Sequence, residues 1–219
     1  LTNYNTNVNN AQMNTDNNAY AKFYEGIERA NLAVRGIRAY GKIESSPQMA
    51  QILGEILTLR AVLYNDLIKG WGNVPARFEP VNLNTRYVER SDKDVVYKQL
   101  LKDLEEAATL LPWPNKSTVT SKVERVNKAF AKGLRARLAL AAGGYSKRLD
   151  GTTRLSNDPD LARDKMYAIA KKECLEIINS NELRLLGFEE IFKKFHEESA
   201  TAGLESMWEI PFSESRGRV

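Results

Sequence analysis

The sequence predicts a mainly all-α protein, a stack of antiparallel helix pairs with long inserted loops and a short β element near the C-terminus. Three observations predict it. Apolar residues recur at three- and four-residue intervals along most of the chain, the signature of helices with one buried face. Helix start and stop signals bound those stretches, among them Ser46-Pro47, Leu111-Pro112 and Gly143-Gly144. Small residues (Ala61, Ala107, Ala108, Ala129, Gly133, Ala136, Ala170) stud the faces that would meet and let helix axes come close.

Taken in order, residues 1–18 are an irregular arm. Eight of them are Asn, which favours turns and competes with helix formation. A helix then runs from Tyr20 to Tyr40, with Phe23, Ile27, Ala30, Val34 and Ile37 on one face. Ser46 caps a second helix that has Pro47 at its first position. That helix runs to Lys69, with Ile52, Ile56, Leu59, Leu63 and Leu67 inward. A loop of about twenty residues, from Gly70 to Arg90, carries Trp71 between two glycines and leaves through Asn73-Val74-Pro75. Ser91 and Asp94 read as a capping box for a third helix, which buries Val96, Leu100, Leu104, Ala107 and Leu111.

After a polar loop from Trp113 to Lys122, a fourth helix covers Glu124 to Gly143, with Phe130, Leu134, Leu138 and Ala141 inward. A second long loop, Tyr145 to Asp158, leads to Pro159 at the start of a helix reaching Asn179. Phe188, Ile191, Phe192 and Phe195 mark a short helix. Ser206 to Phe212 alternates like a strand, with Trp208, Ile210 and Phe212 on one side and Pro211 arguing for an edge. Residues 48–69 with 92–111, and 124–143 with 160–179, form two helix–loop–helix units of a tetratricopeptide-like stack spanning 20–180. In both units the insertion follows the first helix, so both long loops are expected on one edge, where binding usually lives.

Composition is that of an ordinary globular chain, 42% hydrophobic and 27% charged. No apolar run approaches the roughly 18 residues of a membrane helix. The single cysteine, Cys174, excludes an internal disulfide and is expected as a small buried residue on a helix. Net charge is +4, and eight basic residues between Lys122 and Arg148 face one acid, Glu124. A nucleic-acid stripe would interleave aromatics with these charges. None do so, and Lys128, Lys132 and Arg135 at helical spacing read as a solvated helix face, so no nucleic acid is expected as a partner.

Catalytic chemistry is poorly provided for. His196 is the only histidine and reads as an exposed helix-end residue. Nucleotide, hydrolase and metalloprotease fingerprints are missing, and acid pairs such as Asp103 with Glu106 are what helix surfaces ordinarily produce. The chain is therefore expected to be no enzyme, with no cofactor and no metal. Aromatics are the better candidates. A sugar offers an apolar C–H face that stacks on an aromatic ring, while amides and carboxylates bind its hydroxyls. Tyr4, Asn10, Asp16, Asn17 and Tyr20 in and beside the arm, with Trp113 between two prolines, are the candidate ligand contacts. Trp71 and Trp208 are expected to anchor a loop and a core.

Several segments, in order, resemble the SusD/RagB family of outer-membrane nutrient-binding lipoproteins. Tyr24 to Asn31 is similar to its Y-x-x-I-x-x-A-N stretch. Leu59-Arg60-Ala61 through Trp71-Gly72-Asn73-Val74-Pro75 is similar to its L-R-A…G-D-V-P segment, with Trp for the usual Phe or Tyr and Asn for Asp. Tyr97 through Asp103-Leu104 and Ala107 to Leu111-Pro112 resembles its Y-x-x-I-x-x-D-L-x-x-A…L-P run. Lys128-Ala129 with Ala136 to Leu140 resembles the helix that follows, and Glu205 to Ile210 the S-E-x-I-F-x-I strand with Ser and Glu exchanged. The resemblance implies one SusD-like N-terminal helical domain over 1–219, with the arm at 1–18 and a short helix and strand at 181–219, from a longer protein. It implies non-catalytic capture of a glycan or oligosaccharide at the cell surface and its delivery to a TonB-dependent SusC-like transporter. Attachment to the outer membrane would be through a lipid anchor outside this chain. The alternative is a tetratricopeptide-like scaffold that binds only protein.

Overall fold

The computed structural model describes residues 18–196 and 202–210, so the arm, with its candidates Tyr4, Asn10, Asp16 and Asn17, lies outside the described residues. Five long helices succeed one another: α1 (Ala19–Tyr40), α2 (Pro47–Trp71), α3 (Lys93–Leu110), α4 (Lys128–Ala142) and α5 (Arg163–Ser180), followed by the shorter α6 (Phe188–His196). Asn18 caps α1 by accepting from the Ala21 amide, and Ser46 caps α2 by accepting from the Met49 amide. The second helix runs two residues past the expected stop. Gly70 is tolerated in its last turn, and Gly72, at a φ of 75°, ends it.

At the start of α3 the cap is Asp92, which accepts from the Asp94 amide, and no Ser91 capping box forms. Ser91 is taken up by the preceding loop: its amide donates to the Val74 carbonyl and its hydroxyl accepts from the Ala76 amide. The fourth helix begins later than expected, at Lys128, because Asn127 is the residue whose side chain caps it. Pro159 opens a 3-10 turn (Pro159–Leu161), and α5 starts after it.

Each long helix packs on the next. Neighbours are antiparallel: Gly54 near the start of α2 lies against Leu111, Asn73 just after α2 accepts from the Lys93 amide, and Lys128 at the start of α4 donates to Pro112. One end of the stack therefore gathers the start of α1, the end of α2, the start of α3 and the end of α4. The two long loops leave there, as expected, and they meet. Arg148 of the second loop pairs with Asp92 and Asp94, and the Ser156 hydroxyl donates to Asp94 at 2.6 Å.

The core faces of α1 and α3 match the periodicity. That of α2 does not: Leu59 is 39% exposed, and Leu53, Leu57, Ala61 and Tyr64 fill the centre. The reason is that α2 lies between α1 and α3 and buries two stripes. The expected row belongs partly to the α1 side, where Leu63 packs against Gly26. For the same reason α4, held between α3 and α5, buries Ala142 rather than Ala141.

Three further expectations fail. Lys132 and Arg135 are no solvated face. They are buried, and both pair with Glu173 of α5, Lys132 at 2.7 Å. Cys174 is exposed, because α5 packs only one face on α4. The β structure is a hairpin inside the second loop, β1 (Ser146–Lys147) with β2 (Thr153–Arg154), while Ser206 to Ile210 forms no ladder strand. That segment is held by single bonds, from the Glu209 amide to the Val123 carbonyl and from the Asn127 side chain to the Met207 carbonyl. Trp208 packs on Phe130 with ring centres 4.8 Å apart, yet Ile210 is 63% exposed and does not share its side. Pro211 and Phe212 lie outside the described residues, as do the side chains of Phe195 and His196.

Candidate functional site

At the loop end of the stack, one face of the first turns of α1 presents Tyr20, Tyr24, Ile27 and Glu28. The first loop crosses in front of it and contributes Pro75, Arg77, Val81 and Arg86. Together they enclose an open cavity of about 330 Å³. The Tyr20 and Tyr24 rings lie 5.0 Å apart, and Trp71 packs edge-on against Tyr20 at 5.4 Å and against Phe23 at 6.0 Å. Trp71 is thus the loop anchor that the sequence indicates, one layer behind the cavity wall.

The loop is tied down through its backbone. The Tyr24 hydroxyl donates to the Pro75 carbonyl at 2.8 Å. The Tyr64 hydroxyl donates to the Arg77 carbonyl and accepts from the Arg77 amide, both at 2.7 Å. Glu28 accepts from the Val81 amide at 3.0 Å. Arg77 in turn donates to the carbonyls of Thr85 and Arg86, each at 2.8 Å, and so shapes the far side of the loop. Burial pushes the Tyr24 hydroxyl well above the ordinary tyrosine range, and its hydrogen bond with Tyr20 adds to that. Burial does the same to Tyr64. Both stay protonated at neutral pH and act as donors. Tyr87, beside Arg86, is 86% exposed.

The arrangement offers ring edges and faces, guanidinium donors, the Tyr20 hydroxyl, the Glu28 carboxylate and a fixed backbone. That set suits a neutral, hydroxyl-rich ligand. Among the described residues no three or more His, Cys, Asp or Glu side chains come together as metal ligands would. Of the candidates placed by the structure, Tyr20 lines this cavity and Trp113 does not. Trp113 lies between α3 and α4, at the opposite end of the stack, about 25 Å away by the length of α3. The Lys128 ammonium sits 5.6 Å from its ring centre and covers one face. Tyr24, Arg77 and Arg86 were not among the sequence candidates. The four-residue spacing of Tyr20 and Tyr24 was the available signal for the first, and nothing local marks the two arginines.

A second, larger cavity of about 480 Å³ lies across the same loop segment. It is lined by α1 (Asn31, Arg35, Arg38), by Phe78 and Glu79, and by Arg60, Gln99 and Asp103.

The fold and this cavity define a class: a tetratricopeptide-like helical stack with a cavity built against an inserted loop. The chain belongs to the SusD-like family, whose model, described as starch-binding associating with outer membrane, matches residues 1–140. Among solved structures, a SusD superfamily protein from Parabacteroides distasonis is 26% identical, with a TM-score of 0.60 over 77% of this chain and 32% of its own. A SusD homolog from Bacteroides thetaiotaomicron is 23% identical, with a TM-score of 0.72 over 90% of this chain and 36% of its own. A surface glycan-binding protein A from Bacteroides uniformis is 22% identical, with a TM-score of 0.58 over 77% of this chain and 33% of its own. The chain thus spans about a third of the length of these solved relatives. Among curated proteins, none matches. No described helix is long and apolar enough to cross a membrane.

Proposed function

We propose that the protein captures a glycan or oligosaccharide at the cell surface, without catalysis, and delivers it to a TonB-dependent SusC-like transporter in the outer membrane. A lipid anchor would attach it there. The observation that carries this reading is the cavity of Tyr20, Tyr24, Arg77 and Arg86 at the loop end of a SusD-family stack. Its polar groups, the Arg77 guanidinium and the Glu28 carboxylate among them, are already fixed in place, which lowers the ordering cost of binding. The arm enters α1 at Asn18, beside Tyr20, so Tyr4, Asn10, Asp16 and Asn17 are assigned to the same ligand surface. Trp113, a full helix length away, is left out of this surface. A scaffold that binds only protein would need no such cavity in its loop.

The test is affinity electrophoresis and titration of the full-length protein against a panel of polysaccharides and their oligosaccharides. Binding to at least one glycan supports the reading. Failure to bind any would defeat it. Delivery is tested separately, by co-purification with the transporter from outer membranes.

A further inference from the structure

Asn31, Arg60 and Asp103 come from three different helices and from three separate motif segments, yet they meet. All three are buried, at 1%, 3% and 2% exposure. The Arg60 guanidinium donates to Asp103 through Nε at 3.1 Å and through Nη2 at 2.6 Å. Its Nη1 donates to the Asn31 side-chain oxygen at 2.8 Å and to the Phe78 carbonyl at 3.2 Å. Gln99 donates to the second Asp103 oxygen at 2.8 Å.

The remaining donors reach the first loop. The Asn31 amide donates to the carbonyls of Arg77 and Glu79, at 3.1 and 3.3 Å. Three successive loop carbonyls, those of Arg77, Phe78 and Glu79, are therefore bonded by helix side chains. The segment is pinned at both ends by buried Val74 and Pro80. An apolar cluster of the same size would hold the three helices together as well as a buried ion pair does. It could not donate to the loop carbonyls.

We propose that Asn31, Arg60 and Asp103 are positioning residues for the ligand site: a latch that fixes residues 75–81 as the wall of the Tyr20–Arg77 cavity. This rests on the glycan-binding reading for its ligand, but not for its geometry. The latch forms the floor of the second cavity, so the strap of 75–81 is a partition with a ligand wall on one side and its own anchor on the other.

The test uses the full-length protein, Asn31→Ala and Tyr64→Phe, each of which removes bonds to the strap without removing a side chain that lines the ligand cavity. Hydrogen exchange is followed in 75–81 and in the α3 amides, and affinity is measured for a glycan that the wild type binds. We expect exchange in 75–81 to quicken about tenfold in both variants, with α3 protection retained. We expect affinity to fall about tenfold, with saturating glycan slowing the strap again. Faster exchange with unchanged affinity would overturn the positioning role, and unchanged exchange in both variants would overturn the latch. If the wild type binds no glycan, the ligand reading fails and the exchange data still decide whether the latch exists.

Discussion

The first loop (72–92) and the second (143–162) leave the same end of the stack and are held in opposite ways. Helix side chains grasp the first by its backbone: Tyr24, Glu28, Asn31, Arg60 and Tyr64 all bond to its main chain. The second folds on itself into a hairpin, with Asp150 accepting from the Thr152 amide and hydroxyl, and then spends its own Arg148 on Asp92 and Asp94. A loop held by its backbone keeps its side chains free to line a site. The second spends a buried guanidinium to reach the stack, whereas Arg77 of the first bonds only within its own loop and still lines the cavity. Among the described residues, this is why the cavity assigned to the ligand lies beside the first loop.

The largest effect should come from Arg60→Ala. It strands Asp103 in the core and releases the Phe78 carbonyl, and about 3–5 kcal/mol of stability should be lost in urea unfolding. A loss under about 1 kcal/mol would mean that the latch contributes little. Arg77→Ala should cost the full-length protein about tenfold in glycan affinity, read by calorimetry, with the thermal midpoint moving only a few degrees. Arg148→Ala is the contrasting change. It should speed hydrogen exchange in 145–158 and destabilise the fold by about 1–3 kcal/mol, yet leave glycan affinity as it was. Equal effects of Arg77→Ala and Arg148→Ala on binding would erase the distinction between the loops.

The smallest effect is one of pH. A bond from the Asp160 amide, and then one from Lys98, holds Asp158 below the ordinary aspartate value of 3.8. The shift is downward, so its contribution is present above that value and is lost as the pH falls through and below it. Asp158 is largely solvated, which keeps the effect slight. Asn31 holds residues 77–79 through a neutral amide, whereas Val81 is held by the Glu28 carboxylate. Acid should therefore loosen residues 155–160 before 77–79, seen as earlier peptic cleavage between pH 4.5 and 2.5 (about one unit either side of the usual carboxylate range). Lys98→Ala should narrow the difference without removing it, because the Asp160 amide bond remains.

Much of the fold was legible because helices repeat and announce their ends. Ser46-Pro47, Gly72 and Leu111-Pro112 are local signals, and α1, at the edge of the stack, follows a single buried stripe. The signals weaken where a helix has two neighbours: α2, α3 and α4 each bury two stripes, and only in α3 does the strongest apolar row still fall wholly inside. They fail again for charge. Lys132 and Arg135 look solvated because their partner, Glu173, lies about forty residues away on another helix. The site is the least legible part. Tyr20 could be picked as an aromatic beside the arm, but Arg77 and Arg86 sit in a loop with no periodicity. Their placement depends on Asn31 and Arg60, residues that helix patterns would put on a polar surface.

The most direct measurement is calorimetric titration of the full-length protein, its Tyr20→Ala/Arg77→Ala double variant and Trp113→Ala with a glycan selected from the panel. The placement of the glycan beside the first loop predicts that the double variant loses at least about tenfold in affinity and that Trp113→Ala binds within about twofold of wild type. A double variant that binds like the wild type would contradict it, because the cavity beside the first loop would then not be where the glycan sits.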